Sequence, residues 1–251
     1  MESIERHLHL DDLLAETEEK RIVLFGYGKF GPAIAEVLRS YGAQVRVVEN
    51  EARHRSKALE DGFEEALLID VTDDRKLESL EVEEDEYLIC VMDDDHINVF
   101  LVLSLRGLYP QNRIFAISDS IYATSKLKMA GADKVIDLYT VSANRIHNIL
   151  SKPVATEFLE GFTTRSHEYS FREIRIPEGS FLHGKKLEEV DFHRYGVIFI
   201  GMIDVELGNS FLFATTGVEH KLDAGDVIVC IGHDEDLDRF QAAIAKKEEE
   251  E

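Results

Sequence analysis

The feature that most limits what this chain can become lies between Arg21 and Asn50. There an apolar run, Ile22-Val-Leu-Phe25, meets three glycines spaced as Gly26-x-Gly28-x-x-Gly31. An amphipathic stretch follows, and a β-branched run, Val45-Arg-Val-Val-Glu49, ends in an acid. Strand, glycine turn, helix, strand and acid in this order form the fingerprint of a dinucleotide-type βαβ unit. Gly26 suits the tight turn out of the strand, Gly28 lets a pyrophosphate approach bare backbone, and Gly31 lets the helix lie close on the sheet. Gly26, Tyr27, Gly28, Lys29, Phe30 and Gly31 are therefore the candidate phosphate-binding residues, with the charge received by free N–H groups at the helix N-terminus. Glu49 stands about 20 residues further on, where a carboxylate accepts the hydroxyls of an adenosine ribose and repels a 2′-phosphate. The pattern favours NAD(H) or another adenine nucleotide over NADP. The alternative is a Rossmann-like fold that kept its turn glycines and lost its ligand.

The rest of the chain repeats the unit. Helix-forming residues from about Arg53 to Asp61, a strand Ala66 to Ile69 and a helix after Thr72 come first. A strand Tyr87 to Val91, an apolar-rich helix Ile97 to Leu108, a strand Arg113 to Ser118, a helix through Met129 and a short strand Lys134 to Ile136 complete the series. Strands alternating with helices of this length predict an α/β, doubly wound parallel sheet with right-handed crossovers. Val141 to Leu150 predicts one further amphipathic helix, closed by Lys152-Pro153, because the residue before proline is driven out of the helical region. From about Ser170 the elements become β-rich and closely spaced: Phe171 to Ile176, Val197 to Ile203, Ser210 to Thr215 and Val227 to Ile231. A short helix within Leu182 to Val190 and a terminal helix from Asp234 to Ala245 join them. That predicts a separate, smaller α+β lobe. The expected divisions are 1–19, a linker or helix carrying Leu8, Leu10, Leu13 and Leu14; 20–138, the nucleotide-binding lobe; 139–167, a helix outside the repeats and a connector; 168–245, the second lobe; and 246–251, an acidic tail.

A formal net charge of −22 argues against nucleic acid or an anionic membrane surface as a partner, since both need a cationic face. Cys90 and Cys230 each sit in an apolar strand-like run and read as buried thiols in a reducing compartment. With no apolar run of membrane-spanning length, the chain is expected to be cytoplasmic.

At this point the chain resembles a known family, the RCK domains (regulators of conductance of potassium) of ligand-gated potassium channels and of the ring subunits of Trk and Ktr potassium transporters. The resemblance covers about residues 20 to 243. It rests on Gly26-x-Gly28-x-x-Gly31, Glu49, Ile69-Asp70-x-Thr72, Met129-Ala-Gly-Ala-Asp133, Ile176-Pro-Glu-Gly179 and Leu222-Asp-Ala-Gly-Asp226. It implies a homodimer intertwined through the crossover helix, dimers assembled into an octameric ring, and a membrane potassium pore as partner at the inner face of the cell membrane. It also implies NAD(H), ATP or ADP bound at the glycines, with Glu49 on the ribose and Asp70 with Thr72 on the adenosine side. An Asx-type cap is the plainer reading of Asp70 and Thr72.

Some members of that family are gated by calcium through acids near the ends of the fourth and fifth strands. Two of the corresponding positions here are Val91 and Ile117, which leaves Asp119. The run Asp93-Asp94-Asp95 at the same sheet edge could supply oxygen ligands for Ca²⁺ or Mg²⁺ together with Asp119, or could simply cap a helix. Tyr122-Ala-Thr-Ser-Lys126 has the Tyr-x-x-x-Lys spacing of short-chain dehydrogenases. The catalytic serine and the Thr-Gly-x-x-x-Gly-x-Gly loop of those enzymes are absent, so an NAD-dependent oxidoreductase is the weaker reading and no catalytic residue is assigned.

Overall fold

The computed structural model describes residues 20–163, 169–208, 211–214 and 221–245. The leucine-bearing segment 1–19 and the tail 246–251 lie outside them, as do 164–167 of the expected connector. The described chain divides into two compact units, 20–147 and 148–245.

In the first unit, strands and helices alternate as expected: β1 (Arg21–Phe25), α1 (Gly31–Ser40), β2 (Gln44–Glu49), α2 (Ala52–Glu60), β3 (Ala66–Leu68) and α3 (Asp74–Glu78). They continue with β4 (Tyr87–Cys90), α4 (Asp95–Leu108), β5 (Arg113–Ser118), α5 (Ile121–Ala130) and β6 (Lys134–Asp137). The six strands are parallel and ordered β3-β2-β1-β4-β5-β6, so the order reverses between β1 and β4. Leu24 lies between Val47 of β2 and Ile89 of β4, and Phe25 between Val48 and Cys90. Val23, Leu24 and Phe25 are all fully buried. Such a continuous apolar run is stable only in a strand covered on both faces, and the alternating side chains feed two cores. Val23 and Phe25 join Leu88, Leu101, Leu105 and Leu127 on one face. Leu24 joins Tyr27, Val47, Ala58 and Phe63 on the other.

Helix α6 (Leu138–Ser151) contributes no buried residue, and the division between the two units falls within it. The expected stop at Lys152-Pro153 holds, since α6 ends at Ser151; a further helix, α7 (Pro153–Thr163), begins at the proline. Lys152 N–H still reaches the Asn148 carbonyl at 2.8 Å and Thr156 N–H the Lys152 carbonyl at 2.9 Å. Proline at a first helical position lacks only a donor that would find no intrahelical acceptor there.

In the second unit, β7 (Tyr169–Arg175), β8 (Ile198–Ile203), β9 (Phe211–Phe213) and β10 (Val227–His233) form an antiparallel sheet ordered β7-β10-β8-β9, with α8 (Asp234–Ala245) closing the core. Ile174, Leu182, Phe192, Ile228, Leu237 and Phe240 form that core. The short helix expected within Leu182 to Val190 is a single 3₁₀ turn, Leu187–Glu189, and a second 3₁₀ turn, Phe192–Tyr195, follows it. Of the strand expected from Ser210 to Thr215, Phe211–Phe213 is described and its two end residues are not.

Cys90 and Cys230 are free and buried, and burial pushes the Cys230 thiol up to about 12 and that of Cys90 higher still. The thiolate is the reacting form. Neither cysteine is therefore expected to react with a maleimide in the native protein, whereas both should react in denaturant. Fast native labelling of either would contradict this packing.

Candidate functional site

At the carboxyl ends of β1 and β4, where the strand order reverses, the glycine loop runs into α1. Doubly wound sheets bind ligands at such a reversal. Gly26 has φ +109°, and a Cβ there would lie 2.7 Å from the Val91 carbonyl oxygen. A Cβ on Gly31 would overlap the Gly26 carbonyl oxygen, so the last glycine is needed for helix and loop to close on each other. The α1 N-cap is Phe30, with no side-chain cap, and proline stands in the first turn. The opening N–H groups of this helix are thus left to an external acceptor.

Tyr27 and Glu49 hold the loop from beneath. Tyr27 is 1% exposed, packs edge-on to Phe63 at 5.7 Å, and donates its hydroxyl to Asp61 at 2.8 Å. Burial first, and then the Asp61 carboxylate, push its phenol well above the ordinary range. The Tyr27 side chain therefore belongs to the core under the loop. Glu49 is 2% exposed; its Oε1 accepts from Tyr27 N–H at 2.7 Å and its Oε2 from Glu51 N–H at 2.9 Å. His54 Nδ1 stands 3.4 Å from Oε1. The acid at the end of β2 thus clamps the glycine loop to the start of α2. Oε1 thus faces both Tyr27 N–H and His54, and Oε2 keeps a second acceptor site.

Asp70 and Thr72 meet each other: Thr72 donates its hydroxyl at 2.6 Å and its N–H at 3.1 Å to Asp70 Oδ1. These bonds hold the Asp70 carboxyl below its usual range. The cap of α3 is Asp73, which accepts from Arg75 N–H at 3.1 Å.

The acid run after β4 splits: Asp94 turns back on its own helix, while Asp93 and Asp95 line one small cavity with Asp119. Asp94 is the N-cap of α4, accepting from His96 N–H at 2.7 Å and Ile97 N–H at 3.3 Å, which lower its pKa. Asp93 turns the other way: its Oδ1 accepts from Lys29 N–H at 2.7 Å, and its carboxylate fills the space a Gly28 Cβ would need. Burial and the neighbouring Asp119 push the Asp95 carboxyl up. Asp119 Oδ2 stands 3.8 Å from Lys29 Nζ, which also lies over the Phe30 ring at 4.7 Å. Among the described residues no group of three or more His, Cys, Asp or Glu is gathered to hold a metal, and of the two readings of Asp93, Asp94 and Asp95 with Asp119, the helix cap is the one seen, at Asp94. Val91 and Ile117 pack into the apolar core.

Asn98 was not singled out from the sequence. It is 1% exposed; its Oδ1 accepts from Met92 N–H and its Nδ2 donates to the Met92 carbonyl, both at 2.9 Å. It fixes the turn that aims Asp93 at the loop, and a lone amide inside the apolar Ile97-to-Leu108 helix was its only signal. Tyr122 is 85% exposed on α5 and Lys126 is exposed on the same helix. Among the described residues no helix is long and apolar enough to cross a membrane.

The sequence matches two domain families, the TrkA-N domain over residues 22–138 and the TrkA-C domain over residues 171–245. It is 25% identical over 221 residues to Potassium channel protein 1 of Methanocaldococcus jannaschii, covering 87% of this chain and 65% of that protein. It is also 25% identical over 240 residues to Probable potassium channel protein 2 of the same organism, covering 92% and 69%. The chain thus spans about two thirds of the length of these relatives. A chain of the human SLO3 gating ring superposes with a TM-score of 0.63 over 88% of this chain and 46% of that one; at 13% identity this speaks for the fold alone. A parallel six-stranded lobe matched by one domain family is followed by an antiparallel four-stranded lobe matched by the other, and the chain belongs to the TrkA-N/TrkA-C, or RCK, family.

Proposed function

We propose that this chain is a cytoplasmic, non-enzymatic regulatory domain that binds NAD(H), ATP or ADP and sets the conductance of a membrane potassium pore. The observation that carries this reading is the uncapped α1 N-terminus behind a glycine loop, at the strand-order reversal of a TrkA-N lobe. The loop amides from Gly28 to Gly31 and the first turn of α1 would hold the phosphates. Glu49 would add a bond to the ribose, and Asp70 with Thr72 would face the adenosine. No chemistry on the nucleotide is required. A ligand that binds one of two conformations better shifts the balance between them by its difference in binding free energy.

The names of the relatives favour a channel domain over a separate Trk/Ktr-type subunit. The test is potassium flux through a liposome-reconstituted channel carrying this domain. A change in flux on adding NAD⁺, NADH, ATP or ADP is expected, and flux indifferent to all four would overturn the gating role.

The proposal includes self-association as homodimers that build an octameric ring. Helix α6 has Tyr139, Val141, Ile146, Ile149 and Leu150 exposed, and α7 has Val154, Phe158 and Leu159 exposed. A monomer has little reason to leave such a stripe uncovered. Light scattering at micromolar concentration is expected to find a dimer or larger species. Ile146→Asp with Leu150→Asp should shift the protein toward monomer, and a monomeric wild type would contradict the assembly.

A further inference from the structure

We propose that Asp93 is an internal anion of the glycine loop, occupying the place of a ligand phosphate and setting which nucleotide the loop accepts by its charge. The inference rests on the reading that phosphates bind at this loop, and it adds a selectivity determinant to it. Two observations carry it. Asp93 Oδ1 accepts the Lys29 N–H at 2.7 Å, so a loop donor that would otherwise meet a phosphate oxygen is already taken. The carboxylate also fills the volume left by the missing Gly28 Cβ, the place where bare backbone would let a pyrophosphate approach.

With Asp93 so placed, the cavity beside it, lined by Phe30, Asp93, Asp95 and Asp119, has a volume of about 10 Å³, which is water-sized. A phosphate approaching Gly28 on this side would have to displace the Asp93 carboxylate. The side chain is exposed, so a rotamer change suffices. Its partner in this geometry is a backbone N–H; Lys29 Nζ turns instead to Asp119 and the Phe30 ring.

After it swings, the carboxylate stays tethered beside the phosphates, with Asp95 and Asp119 close by. Repulsion between unit charges a few ångströms apart is large enough, even at a surface-like dielectric, to change affinity tenfold or more. The penalty grows with ligand charge. Tetra-anionic ATP is therefore disfavoured relative to NAD⁺, whose diphosphate is a diester carrying fewer charges.

The test is calorimetric titration of the whole chain with NAD⁺ and with ATP in chelator, for wild type, Asp93→Asn and Asp93→Ala. Melting temperatures would confirm that the exposed position leaves the fold intact. Both variants are expected to bind ATP about tenfold or more tighter than wild type while NAD⁺ tightens by less than about threefold, so the preference for NAD⁺ shrinks. ATP and NAD⁺ affinities that both stay within twofold of wild type would overturn the inference and leave nucleotide binding standing. A gain shared equally by the two ligands would overturn the charge selection and reduce Asp93 to a plug. No binding of either ligand to any of the three proteins would sink the nucleotide reading itself, and this inference with it.

Discussion

Alanine at Gly31 is expected to destabilise the amino-terminal lobe by about 2–3 kcal/mol, whereas alanine at Gly28 should leave its stability within about 1 kcal/mol. Both added methyls collide with something, and what they meet decides the cost. At Gly31 the obstacle is the Gly26 carbonyl oxygen, which belongs to a loop pinned by Gly26 N–H to the Val48 carbonyl at 2.9 Å. At Gly28 the obstacle is the carboxylate of exposed Asp93, which can rotate into solvent. The methyl at Gly28 would nonetheless stand where a phosphate must approach, so that variant should fold and lose nucleotide. Urea unfolding with lobe-resolved hydrogen exchange compares the two. Equal stability of the variants would show that the loop yields as easily as the side chain, against the geometry described.

Glu49→Ala should cost the same lobe about 1–3 kcal/mol, chiefly because it strands the buried Tyr27 N–H, and it also unties the half-buried Glu51 N–H, which water can reach. The first donor lies on the glycine loop and the second at the start of α2. Equilibrium denaturation reads the loss directly. Nucleotide affinity should fall as well, since the loop is no longer tied down. A variant with wild-type stability and no nucleotide binding would mean that Glu49 serves the ribose alone.

The glycines, the alternation of strands and helices and the division into an α/β and a β-rich lobe were legible because each rests on local chemistry: periodicity, turn residues and capping. Glu49 was legible as a special acid, yet its engagement with Tyr27 N–H depends on how β1 and β2 align, which residue spacing does not reveal. The three consecutive acids look like a metal cluster in one dimension. A turn into a helix sends adjacent side chains in different directions, so Asp94 caps α4, Asp93 reaches the glycine loop, and Asp95 faces Asp119. Pro153 was legible as the stop of α6 at Ser151, but the helix that starts at it was not. Proline closes the helix before it and is equally at home in the first turn of the next, so its presence alone does not tell whether a helix follows. Asn98 stayed hidden because an amide in an apolar helix has no signature until its partner, the Met92 backbone, is in place.

Calorimetric titration of the chain with NAD⁺, NADH, ATP, ADP and AMP, run beside Gly28→Ala, tests the central claim most directly. The account predicts that at least one of the five binds wild type with a dissociation constant below about 1 mM, which corresponds to about 4 kcal/mol, and that the alanine variant, folded by circular dichroism, loses at least tenfold. Absence of heat for all five at millimolar ligand, or undiminished binding by Gly28→Ala, would contradict a nucleotide sensor built on this loop.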